Sequence, residues 1–309
     1  MSTRLVNILV LVLFLVGLPL TVMAHSAISA LTAPRPVPVA PKRVVSLAPS
    51  VTETLFALGQ GGTVVGVTGY CRFPPEVLDL PKVAGFTDIN YEAVLRLRPD
   101  LVVLPVDKTA NLHELGRLGL TTMTLDTRDL TGYMASLVTL GEATGSLRLA
   151  EGVVGRLEGS IAAAGRRAQG QARPRVLFSV MHSYQGFGYI AEITAVGQDG
   201  FFSQMLDLAG GINVYQGPLS FPKLSREAIM TLNPDVIVDL IQGTEQSDLA
   251  LADWRGLGNV KAVADGRVFL FSDESDTVPG PRIYRTIDKL SRSLFPEEGP
   301  GGQGGGAGL

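Results

Sequence analysis

Cysteine is almost absent from these 309 residues. The one thiol, Cys71, excludes an internal disulfide and a zinc site built on cysteines. Histidine is scarce too: His25, His113 and His182 are too scattered to form a recognisable set of metal ligands. Charge is low, at 18% of residues, and 26 basic side chains against 29 acidic ones leave a net charge of −3. A surface that follows nucleic acid through its phosphates is thereby excluded. Beyond the first two dozen residues no apolar run is long enough to span a membrane. What remains is a composition with 46% hydrophobic residues, which is that of a globular chain. The length suggests two domains or one large one.

The two ends read as something other than fold. Arg4 precedes an apolar run from Ile8 to Val22, and Val22-Met23-Ala24 supplies the small residues of a cleavage site. Residues 1–24 are therefore read as a secretory signal peptide. Fifteen apolar residues fall short of the roughly 20 that span a bilayer. No cysteine follows the run, so the mature chain is expected in the periplasm without a lipid. Residues 25–42 carry Pro34, Pro36, Pro38 and Pro41 and read as an extended spacer. In the segment 297–309 glycine dominates, and this tail is expected to bury nothing.

Between these ends the grammar is α/β. Arg43–Leu47 reads as a buried strand, and Ser50-Val51-Thr52-Glu53 as a capping box opening a helix that Gly59 stops. Val64–Val67, Leu101–Leu104 and Thr122–Leu125 are further strands, with a helix over Leu112–Leu118. The second half repeats the plan: strands at Arg175–Val180, Val236–Leu240 and Val268–Phe271, a helix at Phe201–Leu208 and a last helix from Pro281 to Leu294. Strands alternating with helices imply mostly parallel sheets. One internal match is sharper. NYEAVLRLRPDLVV at 90–103 lines up with SREAIMTLNPDVIV at 225–238. Each reads as an N-cap, a short helix, a proline stop and a strand, so the chain is expected to be two related lobes. The expected N-terminal lobe is 43–128 and the C-terminal lobe 174–296. A helical connector spans 129–173, with apolar residues at helical spacing through Leu130–Ala143 and again through Leu147–Ala168. A 22-residue helix spans roughly 33 Å and would act as a strut between the lobes.

The stretches RVVSLAPSVTETLFALG, VVGVTGYCRFPPEV and LPKVAGFTDINYEAVLRLRPDLVVL resemble the iron/cobalamin periplasmic binding family, the solute receptors of ABC importers. The similarity covers roughly residues 42–296 and is closest to the cobalamin branch through Tyr70–Glu76. It implies two Rossmann-like lobes joined by one long helix, as in class III periplasmic binding proteins, with the ligand held between them. It implies a monomer with no cofactor of its own and no catalysis. The implied ligand is a metal chelate (cobalamin, ferric siderophore or haem) and the implied partner an ABC permease dimer at the inner membrane. A secreted α/β enzyme is the rival, but no G-x-S-x-G elbow is present, and Gly59-Gln60-Gly61-Gly62 follows a helix where a dinucleotide loop follows a strand.

Candidate site residues fall into two sets. Glu92 and Glu227 occupy matching places in the repeat, at the second helical position, where a carboxylate suits the positive helix end. The resemblance implies that each pairs with arginines of one permease subunit, and both roles can hold together. In the cleft, ligands of α/β sheets meet strand ends and helix N-termini. That points to Ser50, to Tyr70 and Cys71 after the second strand, and to His182 and Tyr184 after strand 175–180, with Phe187 and Tyr189 continuing an aromatic-rich loop. Phe86 and Phe221 stand at aromatic positions of the family, and Arg282 opens the last helix, where it could meet a carboxylate or phosphate. Aromatics suit a macrocycle or chelate with large flat faces, though each could equally be ordinary core. Near the last helix the chain departs from the cobalamin pattern. Glu274 lies near the expected acidic position, but Val278 stands at the basic one, which leaves a ferric siderophore open.

Overall fold

The computed structural model describes residues 40–296 apart from Phe86, Thr87 and Gln242. The expected signal peptide, most of the proline-rich spacer, the glycine-rich tail and the site candidate Phe86 lie outside the described residues. The N-terminal lobe holds β1 (Val44–Ser46), α1 (Pro49–Ala57), β2 (Val64–Thr68), β3 (Lys82–Ala84), α2 (Tyr91–Arg96), β4 (Leu101–Pro105), α3 (Thr109–Arg117) and β5 (Thr122–Leu125). Two connector helices follow, α4 (Leu130–Ala143) and α5 (Leu147–Ala168). The C-terminal lobe begins with β6 (Arg175–His182), β7 (Glu192–Ala195), α6 (Phe201–Leu208), β8 (Ile212–Asn213), β9 (Lys223–Ser225) and α7 (Arg226–Leu232). It ends with β10 (Val236–Leu240), α8 (Ser247–Arg255), α9 (Lys261–Ala264), β11 (Val268–Phe271), α10 (Glu274–Thr277) and α11 (Ile283–Leu294).

The first sheet has the order β3-β2-β1-β4-β5 and every pairing is parallel. Its strand order reverses between β1 and β4, and such a switch point opens a crevice beyond the strand tips. The second sheet, β11-β10-β6-β7-β9, is mixed. β6, β10 and β11 run parallel, whereas β7 is antiparallel to both β6 and β9. The second sheet is mostly parallel, as expected, with β8 also pairing parallel to β6, and β7 alone runs the other way. The short strands β7 and β9 carry no long apolar run, and only their neighbours make them strands.

The repeat read at 90–103 and 225–238 is realised atom by atom. Asn90 accepts from the Ala93 amide at 2.9 Å and Ser225 from the Ala228 amide at 3.3 Å, capping α2 and α7. The match extends further than the sequence showed. Arg43 donates to Leu97 O and Arg175 to Leu232 O, so an arginine just before β1 and another at the start of β6 close the C-terminal end of the repeat helix. Asp100 and Asp235 then accept from the amides of Arg43 and Arg175, at 3.0 and 2.9 Å. Arg98 and Asn233 stand at the same place in the repeat, and both adopt positive φ. Two lobes that close one turn with the same arginine, the same helix-end carbonyl and the same aspartate support the reading of a duplicated unit.

The lobes share one core. A continuous buried cluster runs from Val44 and Leu55 through Tyr133, Leu137 and Leu157 to Phe178, Met205, Phe271 and Ile287. The outer face of each sheet has its own smaller cluster. The expected strut is present as α5, 22 residues long. It is tied to the last helix by Ser160 Oγ on Tyr284 O at 2.8 Å and by Arg167 with Asp288 at 2.8 Å. Because burying each large apolar side chain contributes about 1.5–3 kcal/mol, separating the lobes would forfeit many such terms. The frame therefore favours a fixed cleft over a hinged one.

Candidate functional site

The tips of the two sheets face each other. α1 leaves the C-terminal end of β1, and Arg282 follows the C-terminal end of β11. They meet: Arg282 Nε donates to Glu53 Oε2 at 2.8 Å and its Nη2 to Glu53 Oε1 at 2.7 Å. Both side chains are buried, at 3% exposure for Glu53 and 13% for Arg282. The guanidinium also lies 3.9 Å from the centroid of the Phe73 ring. The approach is close enough that a Cβ on Gly280 would stand 3.7 Å from Ser50 Cα. Burial lifts the Glu53 carboxyl above its ordinary range, and Arg282, bonded to both oxygens, holds part of that back.

This geometry corrects the capping box. α1 begins with Pro49 at its first position after Ala48, with no side-chain cap. Ser50 is buried, its carbonyl accepts from Thr54 Oγ1 at 2.7 Å, and Glu53 is spent on Arg282. Arg282 is accordingly a bridge between lobes, already paired, where the sequence suggested a hand free for ligand. Cys71 is also placed away from the surface. Its sulfur lies 3.1 Å from Thr52 Oγ1 and 3.2 Å from Thr68 Oγ1, inside a hydroxyl cluster beneath the Tyr70 turn. Tyr70 itself is 52% exposed, and Phe73, three residues on, is exposed too.

On the opposite lobe, β6 ends in Met181 and His182, which point to opposite sides as successive strand residues must. Met181 is exposed, while the His182 side chain is only 1% exposed. The imidazole packs edge-on against Tyr184 and Trp254, with ring centroids 4.1 and 5.6 Å away, and Nδ1 sits 3.6 Å from Asp239 Oδ2. In this conformation it cannot reach a ligand in the cleft, so the expectation for His182 is corrected. Tyr184 is half-buried and donates to Leu240 O at 3.2 Å; burial is the first cause that raises its phenol pKa, with Asp239 adding to it. The loop beyond carries Phe187, 87% exposed, and Tyr189. Phe221 is exposed too, but Ala195 N bonds Pro222 O and Gly197 N bonds Ser220 O, which sets Phe221 level with Val196, below the strand tips.

The exposed apolar side chains at or just after the C-terminal ends of β2 and β6 are thus Tyr70 and Phe73 in the first lobe and Met181 and Phe187 in the second. Phe73 and Met181 were not selected from sequence. Phe73 lies inside the Tyr70–Glu76 stretch, and only its stacking on Arg282 singles it out. Glu92 and Glu227 are both exposed at the second position of α2 and α7. Elsewhere, an open polar hollow of about 850 Å³ is lined by Asp129, Gly132, Arg173, Gln204, Asp207 and Asn213. It contains none of these aromatics, and its Arg173 and Asp207 already pair at 2.5 Å. Among the described residues no cluster of three or more His, Cys, Asp or Glu is set to hold a metal ion, and no helix is long and apolar enough to cross a membrane.

Two α/β lobes with strand tips opposed across a cleft, held at fixed spacing by one long helix, define a solute-binding protein of the class III type. The chain belongs to the Periplasmic binding protein family, which residues 44–274 match. Among similar proteins is an uncharacterised ABC transporter substrate-binding lipoprotein, YvrC, of Bacillus subtilis, 29% identical over 83% of this chain and 81% of the relative. A cobalamin-binding protein of Halobacterium salinarum is 28% identical over 82% of this chain and 69% of its own length. Among solved structures, a periplasmic haem-binding protein from Pseudomonas aeruginosa superposes with a TM-score of 0.70 at 25% identity, over 85% of this chain and 96% of that one.

Proposed function

We propose that this chain is the extracytoplasmic receptor of an ABC importer, and that it captures a flat metal chelate between its lobes and delivers it to a permease dimer. It works as an exported monomer, released from its signal peptide and carrying no lipid; its only cysteine, Cys71, is buried within the N-terminal lobe. It performs no catalysis and holds no resident cofactor, the chelate being cargo. Glu92 and Glu227 dock one permease subunit each. The observation that carries this reading is the exposed apolar surface at or just after the C-terminal strand ends of both lobes, Tyr70 with Phe73 after β2 and Met181 with Phe187 at the end of β6. Apolar surface left open in a cleft marks a ligand site, and aromatic faces are what a tetrapyrrole or corrin covers. The relatives named for cobalamin and for haem support both of these chelates. A ferric siderophore is the remaining chelate.

The test is titration of the mature protein with haem, cyanocobalamin and a ferric hydroxamate siderophore, read by absorption. One of the three is expected to bind. Tyr70→Ala is expected to weaken that binding about tenfold, since a stacked aromatic contributes about 0.5–1.5 kcal/mol beyond its buried area. Scattering is expected to show little compaction on binding, because the shared core and α5 hold the lobes apart. No binding of any probe would remove the chelate assignment; equal affinities in the two proteins would remove Tyr70 from the site.

A further inference from the structure

The loop after β6, residues 183–189, is shaped by a carboxylate from another element. Asp253, on α8, is fully buried. Its Oδ2 accepts from the Gln185 amide at 2.6 Å and its Oδ1 from the Gly188 amide at 3.1 Å. Gly186 and Gly188 have φ of +76° and +71°, the left-handed conformation that turns successive amides toward one anion. Burial alone lifts such a carboxyl, but the amides of Gln185, Gly186, Tyr189 and Gly188 outweigh it and hold Asp253 below the usual carboxylate range. The carboxylate is therefore charged and closely matched to this one loop shape.

The base under the loop is rigid. Trp254, the next residue, is fully buried and donates to Asp239 Oδ2 at 2.8 Å. The end of α8 comes so near that a Cβ on Gly256 would fall 1.6 Å from Gly188 O. From the other side Arg226 donates to Gly256 O and lies 5.7 Å from the centroid of Tyr189. All this ordering serves a loop whose most prominent member, Phe187, is 87% exposed. A surface loop needs no such mooring for the fold. A loop that must offer an aromatic face to a ligand gains from it, because ordering completed in advance is not charged against binding.

We propose that Asp253 is a positioning residue for ligand capture: it holds the 183–189 loop in the shape that presents Phe187 to the chelate in the cleft. The proposal rests on the chelate reading above, and the test separates the two.

The mature protein is compared with Asp253→Asn, Phe187→Ala and the double variant. Asparagine keeps the shape but removes the charge and turns one acceptor into a donor facing an amide. Hydrogen exchange at the amides of residues 185–188 is expected to speed up about tenfold or more in Asp253→Asn, with exchange in β1 unchanged. Affinity for haem or cyanocobalamin, whichever the wild type binds, is expected to fall about tenfold in each single variant, mainly through faster dissociation. In the Phe187→Ala background, Asp253→Asn is expected to change affinity less than about twofold, since both act through one side chain. Additive losses, or unchanged exchange at 185–188, overturn the proposal; general loosening of the fold shows as faster exchange in β1 and also overturns it. A wild type that binds neither probe overturns the chelate reading and the capture role with it, while exchange still decides whether Asp253 moors the loop.

Discussion

Replacing Arg282 by alanine is expected to lower stability by about 3–5 kcal/mol, the cost of leaving a buried carboxylate without its partner. Glu53 has almost no access to water, and both of its oxygens depend on Arg282. The opposite deletion is milder. In Glu53→Ala the guanidinium retains the Phe73 ring at 3.9 Å and Asp273 at 3.9 Å, and it has more exposure than the carboxylate. A double-mutant cycle, read by chemical denaturation, is expected to show that removing both groups costs less than removing Arg282 alone. If Arg282→Ala cost no more than a surface substitution, the bridge would carry no weight between the lobes.

The same pair sets a pH dependence whose sign is fixed. Glu53 has a folded pKa raised above its unfolded value, through burial first, with Arg282 pulling the other way. A raised carboxyl contributes stability below its ordinary pKa and loses it as pH rises through the folded value. Arg282→Ala removes the opposing pull and raises that value further. The gap between wild type and variant is therefore expected to narrow as pH is lowered from neutrality toward the ordinary carboxylate range, as Glu53 takes up a proton and ceases to be a buried charge. A constant gap over that window would mean that Glu53 had found another cation.

The legible parts of this fold were the local ones. The cap, proline stop and strand of 90–103 and 225–238 each depend on a few adjacent residues, and the helix pattern over 147–168 needs only its own period. The Ser50–Glu53 motif shows where local reading fails. S-x-x-E describes a capping box and equally a helix with a glutamate turned to a distant partner, and Arg282 lies 229 residues away. The strands β7 and β9 escaped for a related reason, since neighbours and not their own sequence decide that they pair. At the site, reading strand ends found the right loops but could not orient them. A shift of one residue separates exposed Met181 from buried His182. Cys71 follows the second strand and so reads as a cleft residue, whereas three hydroxyl side chains, Ser46, Thr52 and Thr68, form a polar cluster beside its sulfur.

Removing both Glu92 and Glu227 is expected to abolish complex formation with the permease while ligand affinity stays within about twofold. The topology supports the pairing. β3 and β9 each run toward the cleft side of their sheets, so α2 and α7 both begin on that side, and each presents its second residue there. The Glu92 side chain is 87% exposed. Glu227 is held below the usual carboxylate range by its own backbone amide first and by the Ser225 hydroxyl second, so it stays charged across the working pH. In the proposed complex a permease with two-fold symmetry would offer the same basic contact twice, and the duplicated lobe would answer with the same acid twice. The two contacts are not equal, however. Glu92 already shares its charge with Arg96 at 3.8 Å, an exposed i,i+4 pair of little strength, whereas Glu227 is bonded by the Ser225 hydroxyl and its own amide and feels the Arg226 charge last and least. Glu227→Ala is therefore expected to weaken the complex more than Glu92→Ala, each by about tenfold or more, and Arg96→Ala to strengthen it slightly. Binding of the purified protein to permease in lipid nanodiscs, measured beside solution affinity for the chelate, checks both statements. Undiminished complex formation in the double variant would place the docking surface elsewhere.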